Sequence, residues 1–199
     1  MAESRNLVGQ PPRAVDRIRA TARELFYREG IRAVGVDTIV AQAGVTKPTL
    51  YRCFASKDEL AAAYVRDYDD EFWARFEGAG TDCRDNPRRQ ILNYLDGLGE
   101  RACATDYRGC GLSNAAVEYP EPDHPARHVV EERKIALRER LTQMATDMGA
   151  KRPNLLADGL LLLIEGSFVS GQLFRGDGPA ASVSAVADML IEASLKDRT

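Results

Sequence analysis

The chain has 199 residues, of which 44% are hydrophobic and 29% charged, an ordinary composition for a soluble globular protein of one domain or two small ones. No uninterrupted apolar stretch reaches the roughly 18–20 residues that a membrane span requires. The four cysteines match no zinc-site spacing and are too few for a disulfide framework, so we expect reduced thiols in the cytoplasm. A redox pair of Cys103 and Cys110 is the alternative.

The formal net charge of −3 is unevenly distributed along the chain. Residues 1–52 contain nine lysines and arginines against five acidic residues, a net charge of +4, whereas the remainder contains 18 against 25, a net charge of −7. Such asymmetry is typical of a nucleic-acid-binding module joined to a domain with another task, although a basic stripe is often only a solvated face.

The N-terminal residues 1–12 lack an apolar signal core and are predicted to form a flexible arm. Apolar residues then recur at helical spacing from Val15 to Phe26, and Gly30 is a natural helix stop. A second, short helix is predicted from about Val36 to Ala43. The sequence therefore predicts two helices that share a small apolar core.

The next segment, residues 43–54, is the most informative part of the chain. Gly44 ends the second helix, Thr46 is a suitable N-cap, and Pro48 falls in the first turn of a third helix, where its missing N–H costs nothing. The exposed face of this short helix carries side chains suited to phosphates and base edges, namely Thr46, Lys47, Thr49, Tyr51 and Arg52. The pattern indicates a helix-turn-helix.

Together these residues resemble the DNA-binding domain of the TetR (TetR/AcrR) family of bacterial regulators. The matching positions between Arg17 and Tyr64 are Ile18, Ala22, Leu25, Phe26, Gly30, Ile39, Ala43, Gly44, Val45, Thr49, Leu50, Tyr51, Phe54, Ser56, Lys57 and Leu60. Gly35 and Cys53 depart from the usual Thr or Ser and the frequent His. The resemblance implies an all-α fold, with a three-helix DNA-binding domain at residues 13–56 and an effector-binding and dimerisation domain at residues 57–199.

The same resemblance implies which side chains contact DNA. The tyrosine corresponding to Tyr51 usually binds a phosphate, and Lys57 matches the backbone anchor at the start of the fourth helix. The predicted DNA-contacting set is Thr46, Lys47, Pro48, Thr49, Tyr51, Arg52 and Lys57. Sequence alone leaves open whether Arg52 reads a guanine or neutralises a phosphate.

Six further helices are predicted in the rest of the chain. Ser56 and Glu59 form a capping box that opens the fourth helix. The fifth helix follows Asn86, the sixth spans about 113–119, and the seventh ends at Gly149. The eighth, residues 154–174, is apolar on nearly every side and is expected to be buried all round. The ninth begins near Val183, and the apolar surface of the last two helices predicts a homodimer packed as a four-helix bundle.

The resemblance also implies an effector pocket among the fourth to eighth helices. The predicted lining is Tyr68, Phe72, Leu95, Asn114, Glu118, Leu162 and Phe168. Glu118 and Glu165 are carboxylates in apolar surroundings, which suggests either polar anchors of the pocket or ion pairs with arginines of the same domain.

We therefore predict a dimeric regulator that binds a near-palindromic DNA site and a small-molecule effector, a repressor more readily than an activator. No catalytic or phosphate-binding motif is present, and we expect neither an enzyme nor a cofactor. A metal site at His124 and His128 is the minor alternative to a helix start and a surface position. The main rival function is a helical ligand- or protein-binding module that does not bind DNA.

Overall fold

The computed structural model describes residues 12–83, 86–174, 176 and 178–196. These residues form nine α-helices and no strand, so the predicted all-α class is confirmed. The helices are α1 (Ala14–Glu29), α2 (Val36–Ala43), α3 (Lys47–Cys53), α4 (Lys57–Gly78), α5 (Pro87–Ala102), α6 (Gly111–Glu118), α7 (Pro125–Asp147), α8 (Pro153–Phe174) and α9 (Val183–Leu195), with a 3-10 turn at Pro179–Ser182. The predicted arm lies outside the described residues except for Pro12.

The first three helices pack around a small apolar core. Ile18 and Phe26 of α1 are buried against Ile39 of α2 and Leu50 of α3. Gly44 ends α2 with a φ of +63°, a left-handed conformation that glycine adopts without a steric penalty. The Arg17 side chain donates to the carbonyl oxygens of Ala43 and Gly44 at 3.1 and 3.3 Å. These bonds fix the turn that sets the angle of α3.

The long helix α4 connects this N-terminal group to the rest of the chain. Its predicted Ser56 cap is confirmed, because the Ser56 hydroxyl accepts from the Glu59 N–H at 3.0 Å. The Glu59 carboxylate accepts from the Ala55 N–H at 2.6 Å, one residue before the N–H that a capping box uses. The helix packs against α1 of the N-terminal group and against α5, α6 and α7 of the remainder. A movement of α4 is therefore transmitted to both parts of the molecule.

Helix α8 differs from its prediction. Its inner side, represented by Leu156, Leu160 and Ile164, is buried by α5, α7 and α9. Its outer side is exposed, with Leu162 and Leu173 each 71% accessible, so burial on all sides is wrong for the single chain. By length and composition α8 is the one helix of the described chain apolar enough to cross a membrane, a test that core helices of soluble proteins also pass.

Candidate nucleic-acid interface and internal cavity

Helix α3 presents most of its side chains to solvent. Leu50 is its one fully buried residue, and it holds the helix on the core together with Phe54 just beyond its end. On the outer side, Thr46, Lys47, Pro48 and Arg52 are exposed, Tyr51 is 49% exposed and Thr49 is half-buried. A seven-residue helix held by one apolar anchor leaves a convex polar surface that fits a DNA groove.

The N-terminal cap of α3 differs from its prediction. Thr46 occupies the N-cap position, but its side chain caps no backbone N–H. Its hydroxyl instead lies 3.0 Å from the Thr49 hydroxyl, and the two side chains orient each other on the exposed surface. Pro48 lies in the first turn, as predicted. The two hydroxyls are thus positioned beside the basic residues of the same helix.

The three cations near this surface differ in how they are held. Lys47 pairs with the Asp37 carboxylate at 2.7 Å, and this hydrogen bond raises the pKa of Lys47. Arg52 makes no hydrogen bond or ion pair with any residue that the structure describes. Lys57 is half-buried, and its Nζ donates to the Arg32 carbonyl at 3.3 Å; burial lowers its pKa. Of these three cations, Arg52 is therefore the one most available to a new partner.

A cavity of about 470 Å³ lies where α1, α4, α5 and α8 meet. Its lining comes from α1 (Ala20, Arg23, Glu24, Tyr27), α4 (Tyr68, Glu71, Phe72, Arg75), α5 (Tyr94, Leu98, Arg101), the following loop (Tyr107) and α8 (Phe168). The volume and the largely apolar lining with a few polar groups are typical of small-molecule sites. Because α1 forms one wall, a bound molecule would contact the N-terminal helices directly.

Four tyrosines line this cavity beside its five charged side chains. Tyr27 and Tyr68 stack with ring centroids 5.9 Å apart, and both hydroxyls donate to the Gly109 carbonyl, at 3.3 and 3.1 Å. The Tyr107 hydroxyl is buried and has no hydrogen-bond partner among the described residues. Burial raises the pKa of Tyr68, Tyr94 and Tyr107, so all three remain neutral hydrogen-bond donors near pH 7.

Comparison with known proteins identifies the chain. The family model described as "Bacterial regulatory proteins, tetR family" matches residues 18–64. The crystal structure of SCO4454, a TetR-family transcriptional regulator from Streptomyces coelicolor, matches with a TM-score of 0.83 and 28% identity, covering 92% of this chain and 96% of that one. Residues 18–64 therefore match the TetR family, and the fold of the described chain is that of TetR-family regulators. Regulatory protein TetR from Rhodobacter sphaeroides, at 21% identity and a TM-score of 0.74, shares the fold over 89% of this chain and 98% of its own.

One curated relative carries a named regulatory role. The HTH-type transcriptional activator FasR of Mycolicibacterium smegmatis is 38% identical over 68 residues, which is 34% of this chain and 31% of FasR. An uncharacterized HTH-type regulator of Mycobacterium tuberculosis is 40% identical over 52 residues, 26% of each chain. The chain thus matches less than a third of the length of these curated relatives.

The cavity contains three of the seven residues predicted for the effector pocket, namely Tyr68, Phe72 and Phe168. Leu95 is fully buried in the core, and Leu162 points outward from α8. The Asn114 amide donates to the Arg108 carbonyl at 2.7 Å. Leu95, Leu162 and Asn114 therefore lie outside the cavity, because their side chains face the core, the solvent and a neighbouring loop, respectively.

Glu118, the seventh predicted pocket residue, instead connects α6 to the loop between α1 and α2. Its carboxylate accepts from the Arg32 N–H at 2.7 Å, and its carbonyl accepts from the Arg32 guanidinium at 3.0 Å. Gly30 of this loop lies directly against the carboxylate. Glu118 therefore joins the helix-turn-helix to the C-terminal helices and does not line the cavity.

Sequence reasoning did not find the contribution of α1 to this cavity, and for α5 it named Leu95, which is buried in the core, in place of the residues that line the cavity. Arg23 and Tyr27 share one face of α1, and Tyr94, Leu98 and Arg101 share one face of α5. The spacing of four and three residues was visible, but nothing in it distinguishes a cavity wall from a core or solvent-facing stripe.

Glu165 has a different partner from the predicted arginine. It pairs with Lys134 of α7, and its second oxygen accepts from the Ser113 hydroxyl at 2.7 Å. The Lys134 Nζ also lies 3.6 Å from the buried Cys110 sulfur. Burial alone would lower the pKa of Lys134, but Cys110 and Glu165 raise it above its ordinary value. Glu165 is thus a polar contact between α6, α7 and α8.

The histidines and cysteines have structural contacts. His124 Nδ1 accepts from the Ala126 N–H at 3.2 Å at the start of α7, and its ring stacks on Tyr119. Within the described part of the chain, no three potential ligand side chains form a metal-binding group. All four cysteines are free thiols; Cys103 is exposed, whereas Cys110 is buried.

An exposed apolar face runs along α8 and α9. It consists of Leu155, Leu162, Val169, Leu173 and Phe174 of α8 with Val186 and Met189 of α9, each at least 44% exposed. Most positions on α8 are seven or four residues apart and therefore lie on one side of the helix. Contiguous apolar surface of this kind usually marks a protein–protein contact.

Proposed function

We propose that this TetR-family chain is a DNA-binding transcriptional regulator. The observation that carries the proposal is the exposed face of α3, where Tyr51 projects from the helix-turn-helix matched by the family model together with Arg52, which pairs with no described residue. The proposed DNA-contacting set remains Thr46, Lys47, Pro48, Thr49, Tyr51, Arg52 and Lys57. The net charge of +4 over residues 1–52 favours DNA over a protein partner.

The active form in this proposal is a homodimer. The exposed apolar face of α8 and α9 packs on its copy, which removes Leu162, Leu173 and Met189 from water. The two α3 helices then enter successive major grooves of a near-palindromic site, about 34–36 Å apart. The proposed division is a DNA-binding domain at residues 13–56 and an effector-binding and dimerisation domain at residues 57–199, in a cytoplasmic protein.

The proposed regulatory ligand occupies the cavity between α1 and α4. Arg19 pairs with Asp67 and Arg23 pairs with Glu71, so two ion pairs join these two helices, and the second of them lies in the cavity wall. A ligand that favours one arrangement of α1 and α4 changes the distance between the two α3 helices. A coupling of about 1–3 kcal/mol changes DNA affinity by roughly 5–150-fold.

We favour repression relieved by the ligand, and activation is the alternative that the name of FasR supports. The two are separated by a reporter gene placed behind the selected site in cells with and without the regulator. Lower expression in its presence supports repression, whereas higher expression supports activation.

The decisive test of DNA binding is selection of genomic fragments on the purified protein at two salt concentrations. We expect wild type to enrich a palindromic site and Arg52→Ala to weaken binding to it by about 1–3 kcal/mol if Arg52 reads a base. A contact to phosphate would instead weaken binding to all DNA and lower the salt slope by about one.

Arg89→Ala is the matched control, because Arg89 is an exposed arginine in the first turn of α5, at the opposite end of α4 from α3. Equal loss in both variants would show a general charge effect and contradict the assigned interface. Salt-insensitive association with a protein, with no fragment enriched, would favour the rival binding module.

A further inference from the structure

The charges around the cavity between α1 and α4 do not cancel. Arg23 and Arg75 both pair with Glu71, whose carboxylate is 3.5 Å from the Arg75 guanidinium. The Glu24 carboxylate lies 3.8 Å from the Arg28 guanidinium. Arg101 has no carboxylate partner among the residues that the structure describes. The cavity wall therefore carries an excess of positive charge.

Two polar groups of this lining, the Arg101 guanidinium and the Tyr107 hydroxyl, have no hydrogen-bond partner among the described residues. Arg101 stands over the Tyr94 ring, 5.8 Å from its centroid. The Tyr107 hydroxyl is buried without a partner in the same cavity lining. Arg75, Tyr94, Arg101 and Tyr107 all line this one cavity. An acceptor placed there satisfies donors that are otherwise unpaired.

Most of the uncharged residues of the wall are aromatic. Tyr27 and Tyr68 form a stacked pair, and the Phe72 and Tyr94 rings meet edge to face with centroids 5.6 Å apart. Phe168 closes the side formed by α8. Flat aromatic ligands gain both apolar burial and ring contacts on such walls.

We propose that this cavity binds an aromatic carboxylate, with its rings among Tyr68, Phe72 and Phe168 and its carboxylate on the Arg101 guanidinium and the Tyr107 hydroxyl. This names the class of regulatory ligand and rests on the proposed function for its effect on DNA, but not for binding itself. A cationic ligand lacks a free partner here, because Glu71 and Glu24 are already paired with arginines.

Three probes of nearly equal shape test the ligand class by titration calorimetry on the full chain: 2-naphthoate, 2-naphthamide and 2-naphthylmethylamine. We expect 2-naphthoate to bind at least about tenfold more tightly than the amide, since a hydrogen bond to a charged group is worth more than a neutral one. The amine should bind most weakly. Equal affinities, tighter binding of the amide or amine, or no binding of any probe would overturn the proposal.

Arg101→Gln removes the charge and keeps a polar side chain. It should abolish the preference for the carboxylate while leaving amide affinity unchanged, and the retained amide binding shows that the variant is folded. Arg89 is an exposed arginine on the same helix, and Arg89→Gln should keep the full preference for the carboxylate. A preference that survives Arg101→Gln would remove Arg101 from the site and refute the assignment.

The DNA assay separates this proposal from the proposed function. Wild type that binds a palindromic site but shows no carboxylate preference refutes the ligand class and leaves DNA regulation intact. Carboxylate binding that depends on Arg101, in a chain that selects no DNA site, supports the ligand class and refutes the regulator. Release of the DNA by 2-naphthoate, reduced at least about tenfold in Arg101→Gln, supports both.

Discussion

The contact between Gly30 and Glu118 is a sensitive point between the helix-turn-helix and the C-terminal helices. Gly30 ends α1 with a φ of +92°, a conformation that side-chain-bearing residues rarely adopt. A Cβ atom at this position would lie 3.3 Å from both carboxylate oxygens of Glu118. The same carboxylate accepts from the Arg32 N–H at 2.7 Å. We therefore expect Gly30→Ala both to strain the backbone and to displace the Glu118 carboxylate.

The size of the loss follows from these two terms. Holding alanine at this φ costs about 1–3 kcal/mol. A hydrogen bond to a charged group is worth about 1.5–3 kcal/mol, and we take about 1 kcal/mol here because Arg32 is exposed and water replaces part of the bond. Gly30→Ala should thus lower the free energy of unfolding by about 2–4 kcal/mol. For a chain of this length, that corresponds to a Tm lower by roughly 4–16 °C.

A double-mutant cycle separates strain from contact. Wild type, Gly30→Ala, Glu118→Ala and the double variant are unfolded in urea at one fixed chain concentration, so that any self-association affects all four proteins equally. The double variant should lose about 1 kcal/mol less than the sum of the single losses, since the added methyl group then meets no carboxylate. Additive losses would refute the contact, and wild-type stability of Gly30→Ala would refute the backbone argument.

Two further predictions concern the exposed face and a buried charge. Leu162→Glu places a charge on the exposed apolar face of α8 and should convert a dimer to monomers by analytical ultracentrifugation without unfolding them; an unchanged dimer would place the interface elsewhere. Burial raises the pKa of Asp69, and the Arg133 guanidinium, whose Nε lies 3.4 Å away, offsets this rise only in part. The ionised carboxylate therefore lowers the stability of the fold at pH values above its folded pKa. This cost disappears as the pH falls below about 3.8. Asp69→Asn should therefore melt above wild type at pH 7, with a gap that narrows towards pH 4 in thermal scans; a gap that widens on acidification would contradict this sign.

The local elements of this protein were predictable because their signals are local. Ser56 capping α4, Pro87 and Pro125 in the first turns of α5 and α7, and the left-handed Gly44 each act through neighbours within about one turn. The polar face of α3 followed from the same logic, since one buried residue, Leu50, determines which side chains face outward.

The cavity was harder, because its walls depend on how distant helices pack. Tyr68, Phe72 and Phe168 were predicted from the family resemblance, but Tyr27 and Arg101 come from helices whose spacing alone does not show what they face. Asn114 was expected in the cavity and bonds the Arg108 carbonyl, since the loop before α6 folds back onto that helix.

By itself, the sequence determined the helices, the orientation of the α3 surface and the family, because periodicity, caps and short motifs are read within a few residues. Tertiary structure decided the contacts between these elements. It brings Arg32 to Glu118 across 86 residues and places α1 against the cavity, contacts that no local pattern encodes. It also leaves one side of α8 exposed, because burial of an apolar stripe depends on which neighbouring helices are present to cover it.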